Sequence, residues 1–338
     1  MGASAHGAMP NGALQNNRGA AGRMNLGSGS HHILGNRCQP QQLPNLKMPE
    51  YSILGQVTRA DVRHDPYPHM VIDNCLPAGV YEELARTYPA DSAILQLGSN
   101  SGNRSVRQNS RQDLHAQSIL ARPDCFSEIW RTFVEYHISN AFFQEFLRLM
   151  GPEITAVYPR LEQRLGCPLP EITTGVLGDT RYRGSQLLLD CHVGINTPAT
   201  RLSSVRRVHT DAPDELFAAL FYFRKDEDTA PGGDLEIHRW KDKKKPLFVA
   251  SEVDESDTER VHTVPYRANT AVILINSERA LHAVSSRGPA LSSRRLVNVM
   301  GRFRESLPEG LFEKRQKMTP WALGRRALQR YRIGTGRL

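Results

Sequence analysis

The chain has 338 residues, of which 39% are hydrophobic and 23% are charged, the balance of an ordinary soluble protein. No apolar run approaches the length of a membrane-spanning helix, and the run TAVILI is only as long as a strand. The net charge is +8, and the five cysteines are scattered without a CxxC pair. This cysteine pattern argues against a disulfide scaffold or a cysteine zinc site, and it predicts a reducing, cytoplasmic location.

Residues 1–48 are expected to form a flexible leader. The segment is rich in Gly, Ala and Asn, and its four basic residues all precede the first acidic residue, Glu50. A transit peptide is also basic and poor in acids, but this segment has no amphipathic period. The composition therefore favours a flexible leader over a targeting helix.

Residues 49–172 are predicted to be a helical and loop support region. HDPYPHMVIDNCLP is typical of a strand, and AGVYEELARTYPA has helical spacing. The polar residues 91–124 suggest a long loop or lid. The strongest helix is FSEIWRTFVEYHISNAFFQEFLRLMG, which Gly151 should end. EITAVYPRLEQRLG then predicts one further helix, or two short ones split near Pro159.

The pattern changes at about residue 173, and residues 173–305 consist of short apolar segments between turns. These segments are SQLLLDCHVGIN, ELFAALFYFR, GGDLEIHRW, RVHTVPY, TAVILIN, LHAVSS and RRLVNVMGRF. Short strands at this spacing indicate a barrel or a jelly roll and not a parallel α/β sheet. The predicted fold class is therefore α+β with a mainly β core, a double-stranded β-helix (jelly roll) flanked by N-terminal helices.

Residues 306–338 are predicted to be a basic C-terminal helix or tail. From Arg302 to Leu338 there are ten Lys and Arg against three Glu, so most of the net charge lies here. Apolar residues recur at roughly helical spacing between the arginines. The segment could pack on the domain with a solvated basic face, or it could contact an acidic partner, nucleic acid or lipid headgroups. We favour the first interpretation.

The segment RRVHTDAP contains a candidate metal-binding pair at the start of an apolar strand. His209 and Asp211 are two residues apart, and a turn that leads into a strand can direct both towards one ion. His282, 71 residues after Asp211 and just past TAVILIN, is the candidate third ligand. Two imidazoles and one carboxylate on one face of an octahedral ion leave three positions open. The alternative is an ordinary polar turn, with Asp211 capping backbone amides and His209 on the surface.

The order of these features strengthens the metal-site interpretation. An HxD pair at a strand entry is followed by an aromatic strand, a GGDL strand, a buried strand, an HxV segment and an arginine-bearing strand. Over about residues 185–304 this order resembles the iron(II)/2-oxoglutarate-dependent dioxygenases, particularly the branch with the prolyl hydroxylases. The resemblance implies that His209, Asp211 and His282 bind Fe(II). It also implies 2-oxoglutarate and O₂ as cosubstrates, and hydroxylation of a C–H bond with release of succinate and CO₂.

The same resemblance implies a basic residue on the last barrel strand that binds the distal carboxylate of 2-oxoglutarate. Arg294 and Arg295 are the candidates, and strand alternation allows only one of them to face inward. We favour Arg294, with Arg287 as a third candidate. Tyr222 matches a tyrosine that bonds the same carboxylate in the prolyl hydroxylase branch, although it could equally be a core aromatic.

Other functions remain open at this point. One is a non-oxidative, cupin-like metal-binding or scaffold protein with a basic interaction tail. A nucleic-acid repair dioxygenase would have an RxxxxxR pair on the last strand, but Met300 and Gly301 follow Arg294 and Arg295 at that spacing. The sequence thus argues against nucleic acid and leaves a small-molecule or peptidyl substrate.

The remaining histidines of the β-rich region are expected to be structural. His192 and His238 fall within strands, and His262 precedes TVPY. We expect none of them to have a carboxylate at ligand spacing in a context comparable to that of His209.

Overall fold

The structure is a computed structural model that describes residues 50–98, 107–242 and 252–312. The chain divides into two units, Met1–Gln41 and Gln42–Leu338, and every described residue lies in the second. The predicted leader at residues 1–48 lies outside the described residues, and so do residues 313–338 of the predicted basic tail. The division into support region, core and tail stays a prediction.

Strands dominate the second half of the described chain. They are β1 (His69–Asp73), β2 (Arg111–Leu114), β3 (Thr174–Val176), β4 (Leu187–Asn196), β5 (Glu215–Tyr222), β6 (Leu235–Trp240), β7 (Thr258–Val264), β8 (Thr270–Ile275), β9 (His282–Val284) and β10 (Arg294–Arg302). Each apolar segment that the sequence marked as a strand from residue 185 onward overlaps one of them, β4 to β10. The mainly β core is therefore confirmed.

Helices precede the β-rich part of the chain. They are α1 (Ala78–Arg86), α2 (Asp91–Leu97), α3 (Ala116–Leu120), α4 (Glu128–His137), α5 (Asn140–Val157) and α6 (Leu161–Leu165). Among the described residues, no helix has the length and apolar character needed to cross a membrane.

The strands form a large sheet and a small sheet. The large sheet has the order β1-β8-β5-β10-β4-β2, with β3 parallel to β4 and the other pairs antiparallel. The small sheet has the order β7-β6-β9, and His209 extends it through a bridge to His282. From β4 to β10 the chain passes repeatedly between the two sheets. This connectivity is that of a double-stranded β-helix.

Two apolar layers lie on opposite faces of the large sheet. The first, the barrel interior, lies between the sheets and includes Ala218, Tyr222, Leu235, Ile237, Tyr266, Val272, Leu274 and Leu296. The second, the helix-side core, joins the outer face to the helices and includes Trp130, Phe133, Phe146, Cys191, Val193, Phe221, Val297 and Val299. Since strand residues alternate between faces, membership of either layer fixes where a neighbouring side chain points.

The helix prediction for residues 126–151 was wrong in its boundaries. The chain forms two helices instead of one, because Ser139 adopts an extended conformation and its side chain accepts a hydrogen bond from the Phe142 amide, an N-cap for α5. Gly151 does not end α5, which continues to Val157. The helix ends where Tyr158 precedes Pro159, a position that disfavours helical backbone.

Residues 91–124 are more ordered than the predicted long loop or lid. Where the structure describes them, they contain α2, β2 and α3. Strand β2 is polar, and its partner is the edge of the large sheet, where Arg111 pairs with Asn196 and Leu114 with Val193. Strand β2 forms because it pairs with β4. The polar composition of this segment does not reveal that partner, and it therefore indicated a loop.

Candidate active site

His209 and His282 are held side by side by the backbone of the small sheet. The amide of each donates to the carbonyl of the other, with both N···O distances at 2.9 Å. Their ring centroids are 4.2 Å apart. His282 pairs with Ile237 of β6, a residue of the barrel interior, so both imidazoles face inward. The sheet thus brings together two histidines that are far apart in sequence.

Asp211 completes a compact group of three side chains. Its Oδ1 lies 3.8 Å from Nε2 of His209, and its Oδ2 lies 3.7 Å from Nε2 of His282. One nitrogen or oxygen atom from each residue lies within 4.8 Å of the others. His209 is only 3% exposed, and Oδ2 of Asp211 is buried without a hydrogen-bond partner among the described residues. The polar-turn alternative, with His209 on the surface, does not agree with this burial.

The hydrogen bonds behind the two rings leave both inner nitrogens free for a metal ion. Nδ1 of His209 lies 2.8 Å from the Arg207 carbonyl, and Nδ1 of His282 lies 3.0 Å from the Ala280 carbonyl. A carbonyl only accepts, so each Nδ1 donates to its carbonyl and each Nε2 is turned towards Asp211. Burial, followed by the nearby His282, holds the pKa of His209 well below its ordinary value. Two imidazole nitrogens beside an unpartnered carboxylate oxygen fit a divalent cation.

The alternation of side chains along β10 distinguishes between the two arginine candidates. Leu296 belongs to the barrel interior and Val297 to the helix-side core. Alternation therefore places Arg294 on the interior side and Arg295 on the opposite side. The guanidinium of Arg295 lies 4.8 Å from the ring centroid of Tyr88. Of the two, only Arg294 faces the inside of the barrel.

Arg294 is held within an aromatic and polar cage. Its Nε donates to the Gly233 carbonyl at 2.8 Å, and its Nη1 to Oδ1 of Asn196 at 3.2 Å. Its guanidinium carbon lies 4.9 Å from the ring centroid of Tyr222 and 4.6 Å from that of Tyr266. The buried Tyr222 hydroxyl has no hydrogen-bond partner in the described chain. Tyr222 thus packs as a core aromatic while its hydroxyl stays available to a ligand.

A buried glutamate near the group of His209, Asp211 and His282 was missed by the sequence analysis. Glu215 begins β5 and is 6% exposed. Burial, followed by the charge of Asp211, raises the pKa of Glu215 well above its ordinary value, against an opposing effect of Arg302. A glutamate at a strand entry normally indicates a solvent-facing position, so no sequence signal marked it.

The expectation that His192 has no carboxylate at ligand spacing was wrong. Oδ2 of Asp190 lies 2.7 Å from Nδ1 of His115 and 2.9 Å from Nε2 of His192. Oδ1 accepts from the amides of Ala116 and Cys191. This second cluster of two histidines and one aspartate ties the start of α3 to β4. The DxH pair was visible in the sequence, but His115 lies 75 residues from Asp190 and could not be connected to it.

We expect the His115–Asp190 contact to stabilise the protein most at low pH. The hydrogen bond to Asp190, which outweighs an opposing effect of burial, raises the pKa of His115 above its ordinary 6.5. The contribution is thus fully present below that value and is lost as the pH rises through the folded-state pKa. His115→Gln should lower the melting temperature more at about pH 5.5 than at about pH 9. His262→Gln, at an exposed site, is the control, and an equal shift at both pH values would contradict the assignment.

Comparison with known proteins gives matches only at the level of three-dimensional structure. No protein-family model matches the chain, and no curated protein sequence matches it. A Pseudomonas putida prolyl-4-hydroxylase aligns with 18% identity and a TM-score of 0.39, covering 73% of this chain and 98% of the other. A prolyl 4-hydroxylase from Phytophthora capsici aligns with 15% identity and a TM-score of 0.43, covering 87% and 79%.

Other similar structures have different reactions in their names. A rice dioxygenase for auxin oxidation aligns with 12% identity and a TM-score of 0.38, covering 79% of this chain and 86% of the other. All three alignments have TM-scores below 0.5 and identities below 20%.

Proposed function

We propose that this protein is an Fe(II)- and 2-oxoglutarate-dependent dioxygenase that hydroxylates an unactivated C–H bond, with release of succinate and CO₂. The observation that carries the proposal is the convergence of His209, Asp211 and His282 on one buried point. Two imidazole nitrogens and one carboxylate are the ligand set of non-haem Fe(II) oxygenases. Fe(II) held by these residues would activate O₂, which is the oxidant, while 2-oxoglutarate supplies two electrons on conversion to succinate and CO₂.

The side chains around the site have separate tasks in this proposal. The carbonyls of Arg207 and Ala280 fix the tautomer and direction of the two histidines, so that both Nε2 atoms face the ion. Arg294 and the Tyr222 hydroxyl bind the distal carboxylate of 2-oxoglutarate, because a planar guanidinium can donate two parallel hydrogen bonds to it. None of these roles requires a side chain to act as a general base.

The proposed substrate is a small molecule or a peptidyl side chain. Nucleic acid is disfavoured by the residues that follow Arg294 and Arg295, as described above. An acidic partner for the basic C-terminal tail remains a proposal from the sequence. A cytoplasmic location is supported by the four described cysteines, Cys75, Cys125, Cys167 and Cys191, which are all free thiols.

The direct test is succinate formation by the purified Fe(II) protein across a library of candidate substrates, with His209→Ala as the blank. Succinate above the blank that depends on O₂ and 2-oxoglutarate would support the proposal. A folded protein that binds a metal ion but neither binds nor consumes 2-oxoglutarate would indicate the cupin-like alternative. Titration under nitrogen, followed by the charge-transfer absorption of the Fe(II) complex, separates binding from turnover.

We expect Arg294→Met to raise the KM for 2-oxoglutarate by about 10- to 100-fold, because hydrogen bonds to a charged group are worth about 1.5–3 kcal/mol. The matched control is Arg295→Met, which changes the adjacent residue on the other face of β10. It should leave KM within about twofold, as for a residue outside the site. Steady-state kinetics at saturating substrate measure the KM for 2-oxoglutarate of both variants. A raised KM in Arg295→Met with an unchanged KM in Arg294→Met would show that Arg295 binds the carboxylate.

A further inference from the structure

A second buried arginine lies against Arg294. Arg287 follows β9, and the side chains of Arg287 and Arg294 are 1% and 2% exposed. They meet at Gly233, which has a φ of +78°. A Cβ atom at this glycine would lie 3.4 Å from Cδ of Arg287 and 3.3 Å from Cδ of Arg294. Gly233 therefore lets both arginine stems pass next to the same stretch of backbone.

Of the two guanidinium groups, only that of Arg287 pairs with an acidic side chain among the described residues. Nη2 of Arg287 donates to Oδ2 of Asp228 at 2.7 Å, and both side chains in this pair are 1% exposed. The hydrogen bonds of Arg294 go to neutral oxygens, the Gly233 carbonyl and the Asn196 amide. Burying a charge without a counter-charge is unfavourable. Among the described residues, Arg294 thus makes no hydrogen bond to an acidic side chain.

Several hydrogen-bond donors around Arg294 also lack acceptors. Nε and Nη1 of Arg287, Nδ2 of Asn196 and the Tyr222 hydroxyl are buried and have no partner in the described chain. Buried donors in native proteins normally have an acceptor, because an unsatisfied one is destabilising. A ligand that matches this set must be an anion with several acceptor positions, which a carboxylate provides.

We propose that Arg287 is a second arginine of the 2-oxoglutarate subsite, donating from Nη1 to the distal carboxylate that Arg294 also binds. This inference rests on the proposed function. Asp228 holds Arg287 by Nη2, which leaves the neighbouring Nη1 to donate to the ligand. With two guanidinium groups facing one carboxylate, the site discriminates strongly between 2-oxo acids that have a distal carboxylate and those that lack it.

The test measures binding instead of turnover, by titration calorimetry of the Fe(II) protein under nitrogen. The two probes are 2-oxoglutarate and 2-oxobutyrate, which share the metal-chelating end but differ in the distal carboxylate. The variants are Arg287→Met, Arg294→Met and the control Arg295→Met. Because Arg287→Met leaves Asp228 buried without its partner, the double variant R287M/D228L provides a form without the isolated charge. Circular dichroism establishes that each variant is folded.

We expect Arg287→Met and R287M/D228L to weaken 2-oxoglutarate binding by about tenfold or more, as for other charge-assisted contacts. Binding of 2-oxobutyrate should stay within about twofold of the wild-type value in every variant, since no distal carboxylate is involved. If the folded R287M/D228L protein binds 2-oxoglutarate as the wild type does while Arg294→Met does not, Arg287 is only structural and the inference is overturned. Failure of the wild-type protein to bind 2-oxoglutarate would instead contradict the proposed function, and the inference with it.

Discussion

Replacing Asp211 with alanine should abolish iron-dependent turnover. Its carboxylate lies between the Nε2 atoms of His209 and His282, at 3.8 and 3.7 Å. Without it, two neutral imidazoles would have to hold the ion, and the positive charge would lose its counter-charge. Loss of an outer-shell partner typically costs 10- to 100-fold in metal affinity, so loss of a direct ligand should cost more than about 100-fold.

Iron content after gel filtration and the rate of succinate formation measure this effect. Glu252→Ala is a suitable control, because Glu252 is bridged to His209 through the backbone but its side chain is exposed. It should keep its iron and its activity. An Asp211→Ala protein that retained stoichiometric iron would show that the metal is bound elsewhere, with the cluster of His115, Asp190 and His192 as the next place to examine.

Trp130→Ala should give the largest loss of stability among single substitutions in the helix-side core. The indole is fully buried, and its ring contacts those of Tyr88, Phe223 and Phe133 at centroid distances of 5.2, 5.5 and 5.7 Å. Its Nε1 donates to the Leu84 carbonyl at 3.1 Å. Removing a buried tryptophan costs about 3–5 kcal/mol, as lost burial plus the cavity that remains.

Urea denaturation would measure the change in the free energy of unfolding. Trp130→Phe keeps an aromatic ring and loses only the outer ring and the hydrogen bond, so it should cost less than the alanine variant. Leu291→Ala, at a fully exposed position, should change stability by no more than about 0.5 kcal/mol. A cost for Trp130→Ala as small as that of Leu291→Ala would mean that α4 is not packed as described.

The β core and the proximity of His209 and Asp211 followed from the sequence because local patterns specify them. An apolar run between turns, such as TAVILI, becomes a strand in nearly any sheet, and β8 covers Thr270–Ile275. The HxD pair brings two ligands to one turn without help from distant residues. His282 needed the order of motifs as well, because only the sheet places it beside His209.

The sequence analysis favoured Arg294 over Arg295, but the sequence does not fix the register on which that choice depends. Both belong to β10, and a shift of one residue exchanges the faces to which they point. The register with β4, in which Arg294 pairs with Asn196, decides it. That register depends on contacts along the full length of β4 and β5, so it is a tertiary property.

Other features were missed because they depend on partners distant in the chain. Strand β2 is polar and forms only against the edge of β4. The contact of His115 with Asp190 joins the residue that directly follows β2 to β4. Ser139 is a different case, since a serine before a helical run is a recognised N-cap signal that the continuous apolar pattern concealed.

The reciprocal amide bonds of His209 and His282 have a consequence for how the chain acquires its iron. The residues between them include four whole strands, β5 to β8, all of which must be in register before the imidazoles meet. A mispaired or partly folded chain would therefore not have this binding site for iron. Because an ion that binds only the native state stabilises that state alone, iron uptake should select correctly assembled molecules and protect them from unfolding.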